Sequence, residues 1–153
     1  MDANRLAGVS RRPTAAQERR DAPIVEVCVH GQPVSAQTSN RPALQAWKNR
    51  IRDACRAVWE RAPIESGVII YVTHYYETII GDVDDLIKPI QDALQGVVYL
   101  NDKQVRDVIG NRRPINGRFR VRHISMPLAT AFSNGRPFVH VRVWHSPKRE
   151  ELG

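Results

Sequence analysis

The chain has 153 residues, 42 % of them hydrophobic, with a net charge of +7 and an isoelectric point near 10.0. That is enough chain to bury one ordinary core and too little for two, and so basic a balance favours acidic partners, nucleic acid before an anionic membrane surface. No apolar run is long enough to span a bilayer, the N-terminus carries no apolar signal segment, and the two cysteines lack the spacing of a disulfide framework or a structural zinc site, so the expected compartment is the cytoplasm.

Residues 1–22 mix Arg, Ala, Pro and polar residues without a period and read as a flexible basic tail. One domain is expected over 23–147, with a frayed end, "KREELG", at 148–153. "PIVEVCVHG" (23–31) alternates, Val25, Val27 and Val29 against Glu26, Cys28 and His30, which predicts a strand closed by Gly31 and Pro33. Over 42–62, Leu44, Trp47, Ile51, Cys55, Val58 and Trp59 recur at helical spacing, so this segment should be a helix with a basic outer face. "GVIIYVTHYYE" (67–77) is rich in β-branched and aromatic residues and predicts a central strand.

A second helix is expected within 84–96, ended by Gly96, then strands at about 104–110, 118–125 and 137–145. "MPLATAFSNG" (126–135) fits either a short helix or a loop. The order predicts a single α/β or α+β domain, with a mixed sheet and two main helices. The tryptophans Trp47 and Trp59 lie on the apolar stripe of the first helix and read as core or dimer packing. His74, His123, His140 and His145 stand at no ligand spacing beside an acidic cluster and read as surface or core residues.

Acid is gathered against the trend of the chain. Between 82 and 107 the six aspartates Asp82, Asp84, Asp85, Asp92, Asp102 and Asp107 face only Lys88, Lys103 and Arg106, a charge of −3 that leaves +10 for the rest. In extended backbone Asp82 and Asp84 would point to the same side. Asp85 suits a helix N-cap, Lys88 the first turn, and Asp92 the same face one turn on. Pro89 would cost about 3 kcal/mol inside a helix, so a late start, at Asp85 to Ile87, is expected, leaving Asp82 and Asp84 free.

Converging carboxylates repel unless a cation joins them. A hard divalent ion takes one or two carboxylates with waters and phosphate oxygens, and can activate water and stabilise both oxygens of a phosphodiester under attack. Lys88 would add a fixed positive charge beside that phosphate. Acids are also common at any helix start, so a solvated helix end remains the alternative reading of these residues.

"GDVDDLIKPIQDALQGVVYLNDKQV" (81–105) resembles the signature of the RusA-like family of Holliday-junction resolvases, as "VHGQPVS" (29–35) resembles that family's first strand and turn. The matching positions are Asp82, Asp84, Lys88, Asp92-Ala93-Leu94, Gly96, Tyr99, Asp102 and Gln104. Two positions depart: Asp85 stands where the family has Asn, and Asn101 where it has Asp. The resemblance implies a small homodimeric endonuclease that uses Mg²⁺, with Mn²⁺ as the alternative ion, to nick four-way DNA junctions symmetrically. Carried over, Asp82, Asp84 and Asp102 are the metal ligands and Lys88 the catalytic cation, with Asp85 and Asp92 in support. It also implies recombination or repair in a bacterial or phage setting.

Beyond residue 110 the chemistry is that of arginine. Arg118, Arg120 and Arg122 would share one face of a strand, roughly 6.6 Å apart, and with Arg112 and Arg113 are expected to grip a phosphate backbone. The competing readings are a flap or branched-DNA nuclease of a phage or mobile element, and a junction-binding protein with an inert acidic site.

Overall fold

The computed structural model describes residues 22–79, 81–117 and 124–147. Almost all of the expected tail, the C-terminal end, and most of the strand expected at 118–125, with Arg118, Arg120 and Arg122, lie outside the described residues. Within them the elements run β1 (Val25–His30), α1 (Arg41–Val58), β2 (Val68–Tyr76), α2 (Val83–Leu94), a 3-10 turn (Asp102–Gln104), β3 (Val105–Pro114), α3 (Met126–Ser133) and β4 (Phe138–His145). The four strands form one mixed sheet in the order β1-β4-β2-β3. β4 pairs antiparallel with β1 and with β2, and β2 pairs parallel with β3. The expected α+β architecture with an internal β2 is therefore present, and a third, short helix resolves the choice left open at 126–135.

Alternation decides which face meets which helix. Val25, Val27, Val29, Ile70, Val72, Val139, Val141 and Val143 fall on one face of the sheet, where they form a core with Trp47, Ile51 and Cys55 of α1 and Ile90, Ala93 and Leu94 of α2. Each such side chain contributes about 1.5–3 kcal/mol by leaving water. Burial pushes the thiols of both Cys28 and Cys55 up to about 12, so neither is a nucleophile at neutral pH. The opposite face carries Tyr75 and Phe138, capped by Leu128 and Ala131 of α3. Beyond α3, the Arg142 guanidinium lies over the rings of Tyr71, at 5.0 Å, and Trp144, at 5.3 Å.

Helix ends follow local chemistry. Asn40 caps α1 by accepting from the Ala43 N–H, with Pro42 in the first turn, where a proline loses no hydrogen bond. Ser125 caps α3 in the same way through Leu128. The helix expected to reach residue 62 stops at Val58, which is exposed. Among the described residues no helix is long and apolar enough to cross a membrane.

The start of α2 corrects an expectation. The helix begins at Val83, not at Asp85 or later, so Asp84 lies in its first turn and Asp82, not Asp85, occupies the N-cap position. Pro89 lies inside the helix and is buried. A proline there cannot donate to the carbonyl four residues back, that of Asp85. The backbone N–H of Ala36, in the loop between β1 and α1, donates to that carbonyl instead, at 2.9 Å. A contact from nearly fifty residues away thus satisfies the carbonyl, and the β1–α1 loop is fixed against the acidic end of α2.

Candidate active site

The site is built where β2 ends and α2 begins. Gly81 has φ of 59°, a left-handed turn that suits glycine, and it redirects the chain from strand to helix. Its carbonyl accepts from the Arg112 guanidinium on the neighbouring strand β3. The turn before Asp82 is thereby tied to the sheet. Arg112, expected to follow the strand and grip phosphate, lies within β3, half-buried, and supports this turn. Arg113, one residue on, is exposed and donates to the Arg112 carbonyl.

Asp82 takes the N-cap backbone conformation, φ −88° and ψ 159°, yet its carboxylate caps nothing. Among the described residues neither Asp82 nor Asp84 makes a side-chain hydrogen bond or ion pair, and both are exposed. Two unpaired carboxylates at the positive end of a helix dipole keep their full capacity for a ligand. Asp85 is half-buried and accepts from Gln37 Nε2 at 3.4 Å. Asp84, Asp85 and Lys88 line one open cavity with Gln37, Gln91 and Val108.

Lys88 is not neutralised by Asp84. Its ammonium lies 3.3 Å from Asp92, one turn along the helix, and Lys48 of α1 reaches the other Asp92 oxygen at 3.4 Å. Asp92 is thus an anchor for two lysines. The Arg52 guanidinium, also from α1, donates to the carbonyls of Asp92 and Ala93. Gly110 sets how closely this helix approaches the sheet. A Cβ there would fall 2.3 Å from Ile87 Cδ1 and 2.8 Å from Val83 Cγ1, so only glycine lets the first turns of α2 lie on β3.

Asp102 belongs to a different neighbourhood. It opens the 3-10 turn before β3, capped by Asn101, whose side chain accepts from the Lys103 N–H at 3.0 Å. Gln104 fixes the turn at four points: Oε1 accepts from the Leu100 and Asn101 N–H groups, and Nε2 donates to the carbonyls of Ile64 and Ser66. The Tyr99 hydroxyl donates to the Gln91 carbonyl at 2.7 Å. Burial, with Asp92 and Asp102 nearby, holds that phenol in its neutral form. β3 runs parallel to β2, so Asp102 stands at its entrance, whereas Arg112, which holds Gly81, stands near its exit. Seven steps along the strand lie between Val105 and Arg112, about 23 Å of extended chain. Among the described residues no three His, Cys, Asp or Glu side chains are grouped to hold a metal ion. The structure brings together Asp84, Asp85 and Lys88, with Asp82 two residues away. It does not bring Asp102 to them.

The donor set meets the needs of a hard divalent cation in part. Asp82 and Asp84 offer the one or two carboxylates that such an ion takes alongside water and phosphate, and no neighbouring cation among the described residues competes for them.

Comparison with known families agrees with this end of the molecule. A family model described as endodeoxyribonuclease RusA matches residues 30–124, which hold the whole β1–α1 loop, α2 and β3. The chain belongs to the RusA endodeoxyribonuclease family. No match was found among curated proteins.

Proposed function

We propose that this chain is a Mg²⁺-dependent, structure-selective endonuclease that resolves four-way DNA junctions by paired symmetric nicks. The observation that carries the proposal is the state of Asp82 and Asp84: two exposed carboxylates, unpaired among the described residues, at the start of α2 beside Lys88, in a chain of an endodeoxyribonuclease family. When bound, Mg²⁺ or Mn²⁺ would supply a polarised phosphate and an activated water.

The protein's part is positional. Asp82 and Asp84 hold the ion, fixed by the Gly81 turn and its tie to Arg112. Lys88, steadied by Asp92, presents a positive charge to the scissile phosphate and to the charge that develops on it. Asp85, held by Gln37, narrows the cavity and adds negative charge in support of the ion. Arg113, with Arg118, Arg120 and Arg122, binds neighbouring phosphates, and the basic excess of the chain draws in the DNA.

Asp102 is proposed as the third carboxylate. Because β3 holds it away from Asp82 within one chain, a second copy is the natural source. Two symmetric nicks also require two sites, and a two-fold dimer meets both needs. Recombination or repair in a bacterial or phage-infected cell is the setting this reading implies.

The test is cleavage of a synthetic four-way junction with Mg²⁺ and with EDTA, beside a flap substrate, linear duplex, and the Asp82→Asn protein. Paired nicks on the junction that require metal and Asp82 are expected. Asp82→Asn should bind the junction at least as tightly as the parent, because it removes like-charge repulsion with phosphate. Preferential cutting of the flap would reassign the substrate. Tight binding without cleavage by the parent would overturn the enzymatic reading.

A further inference from the structure

A second cavity, of about 360 Å³, lies beside the β1–α1 loop and is lined by His30, Gln32, His74, Glu77, Arg136 and Pro137, among others. It neighbours the acidic site through shared lining residues. Gln32 lines both this cavity and the next, which also holds Gly81 and Asp85. Asp85 and Gln37 in turn line the cavity of Asp84 and Lys88. Three neighbouring cavities therefore lead from Arg136 to Lys88, each sharing a lining residue with the next.

We propose that this cavity receives an unpaired nucleobase bearing an exocyclic amino group, next to the phosphate that is cut. The inference rests on the nuclease reading above. Three observations favour a base over a second phosphate. The volume is in the range of small-molecule sites, well above what one phosphate fills. Glu77 offers a carboxylate, which repels phosphate but accepts from an amino group. Arg136 and Gln32 supply donors for ring nitrogens or carbonyls, so the lining matches a base edge that both donates and accepts.

His74 completes the lining. It is only 4 % exposed, and its Nδ1 is sealed from solvent without a hydrogen-bond partner among the described residues. A sealed lone pair costs less than a sealed N–H, so the proton belongs on Nε2, the nitrogen left to serve the cavity. Burial, with Arg112 nearby, lowers the His74 pKa to about 4 and keeps the ring neutral at physiological pH, a donor without net charge. His30 is already engaged, Nδ1 with the Pro137 carbonyl at 3.3 Å and Nε2 with Asn134 at 3.2 Å, so it serves as a fixed wall. Arg136 lies outside the residues that the family model matches.

Branched DNA suits such a pocket because a base at a branch point is the least costly to unstack. The experiment uses four-way junctions that differ only in the base beside the cut: cytosine, adenine, thymine or an abasic site. The parent should cut the amino-bearing substrates about ten-fold faster than the thymine or abasic ones. Glu77→Gln and Arg136→Ala, both surface changes, should each reduce that ratio below about three-fold. Equal rates on all four bases, or variants that keep the full ratio, would overturn the proposal.

A second arm places 2-aminopurine, a fluorescent base with an exocyclic amino group, at the same position and reads its emission on binding of the Asp82→Asn protein. A rise that Arg136→Ala (in the Asp82→Asn background) abolishes supports the pocket even if the parent cuts no branched DNA, in which case only the nuclease reading fails. Quenched emission in both proteins, with the junction bound, counts against the pocket alone.

Discussion

The two ends of α2 carry the same kinds of residue and treat them in opposite ways. At the start, Asp82 and Asp84 have no partner among the described residues and face solvent. Farther along, Asp92 holds two lysines, the Tyr99 hydroxyl is bonded to Gln91, and Gln104 makes four hydrogen bonds. Satisfied polar groups rigidify a fold, while unsatisfied acids at a helix start keep their binding capacity for something else. One continuous motif is therefore half scaffold and half site, and pairing tells the halves apart where residue type does not.

The sharpest way to break this comparison is to neutralise each end in turn. Asp84→Asn or Asp82→Asn should leave the melting temperature nearly unchanged, since the attraction to the helix dipole that each loses is offset by relief of repulsion among Asp82, Asp84 and Asp85. Cleavage should fall on the order of 10²-fold or more, measured as single-turnover nicking of a junction. A melting temperature that drops sharply would mean these acids are structural, and the division between the ends would fail.

Gly110→Ala tests the platform beneath the site. The new methyl would meet Val83 Cγ1 and Ile87 Cδ1 at less than contact distance. Ile87 can turn its terminal methyl away, but Val83 is β-branched and stiff. Overpacking of this kind costs about 1–3 kcal/mol and would lift the first turn of α2 with Asp84 on it. Both melting temperature and cleavage should fall while junction binding persists. Unchanged cleavage would show that the site tolerates movement of the helix.

Much of this arrangement was legible in the sequence because it is local. Alternation marked β1, β-branched and aromatic content marked β2, and helical spacing marked α1 with Leu44, Trp47, Ile51 and Cys55 buried as expected. The Asp92–Lys88 pair followed from one turn of helix. What was not legible depends on distant partners. Pro89 argued for a late helix start, and the bond that removes its penalty comes from Ala36. Arg112 was expected on a phosphate, and nothing in its spacing announced that its guanidinium also reaches the Gly81 carbonyl. The i, i+2 rule placed Asp82 and Asp84 on one strand edge, whereas helix geometry begins between them. His74 gave no hint of a site, because nothing in its spacing shows that it borders a cavity with Arg136.

Gln104→Ala probes the scaffold half. It removes two acceptor and two donor contacts at once and leaves the Leu100 and Asn101 N–H groups to solvent, both residues being exposed. A loss of about 1–2 kcal/mol is expected, read as a lower denaturation midpoint with unchanged slope. Amide exchange should rise at Leu100 and Asn101 before it rises in β3. Exchange that rises first in α2 would tie the two halves together mechanically.

Asp92→Asn should have the smallest effect, and its smallness is the informative part. The carboxylate is partly exposed and meets Lys48 and Lys88 at 3.4 and 3.3 Å, and such pairs contribute about 0.2–1 kcal/mol. Asparagine keeps the shape and one oxygen, so both lysines lose attraction and begin to repel each other across it. Stability should drop by less than about 1 kcal/mol, and by less still in high salt, where the lost pairs are already screened. Cleavage should fall only a few-fold, because Lys88 loses its anchor and not its charge. If Asp92→Asn instead abolished cleavage as Asp82→Asn does, without a matching loss of stability, Asp92 would belong with the reacting groups. The boundary between site and scaffold would then lie beyond the second turn of α2.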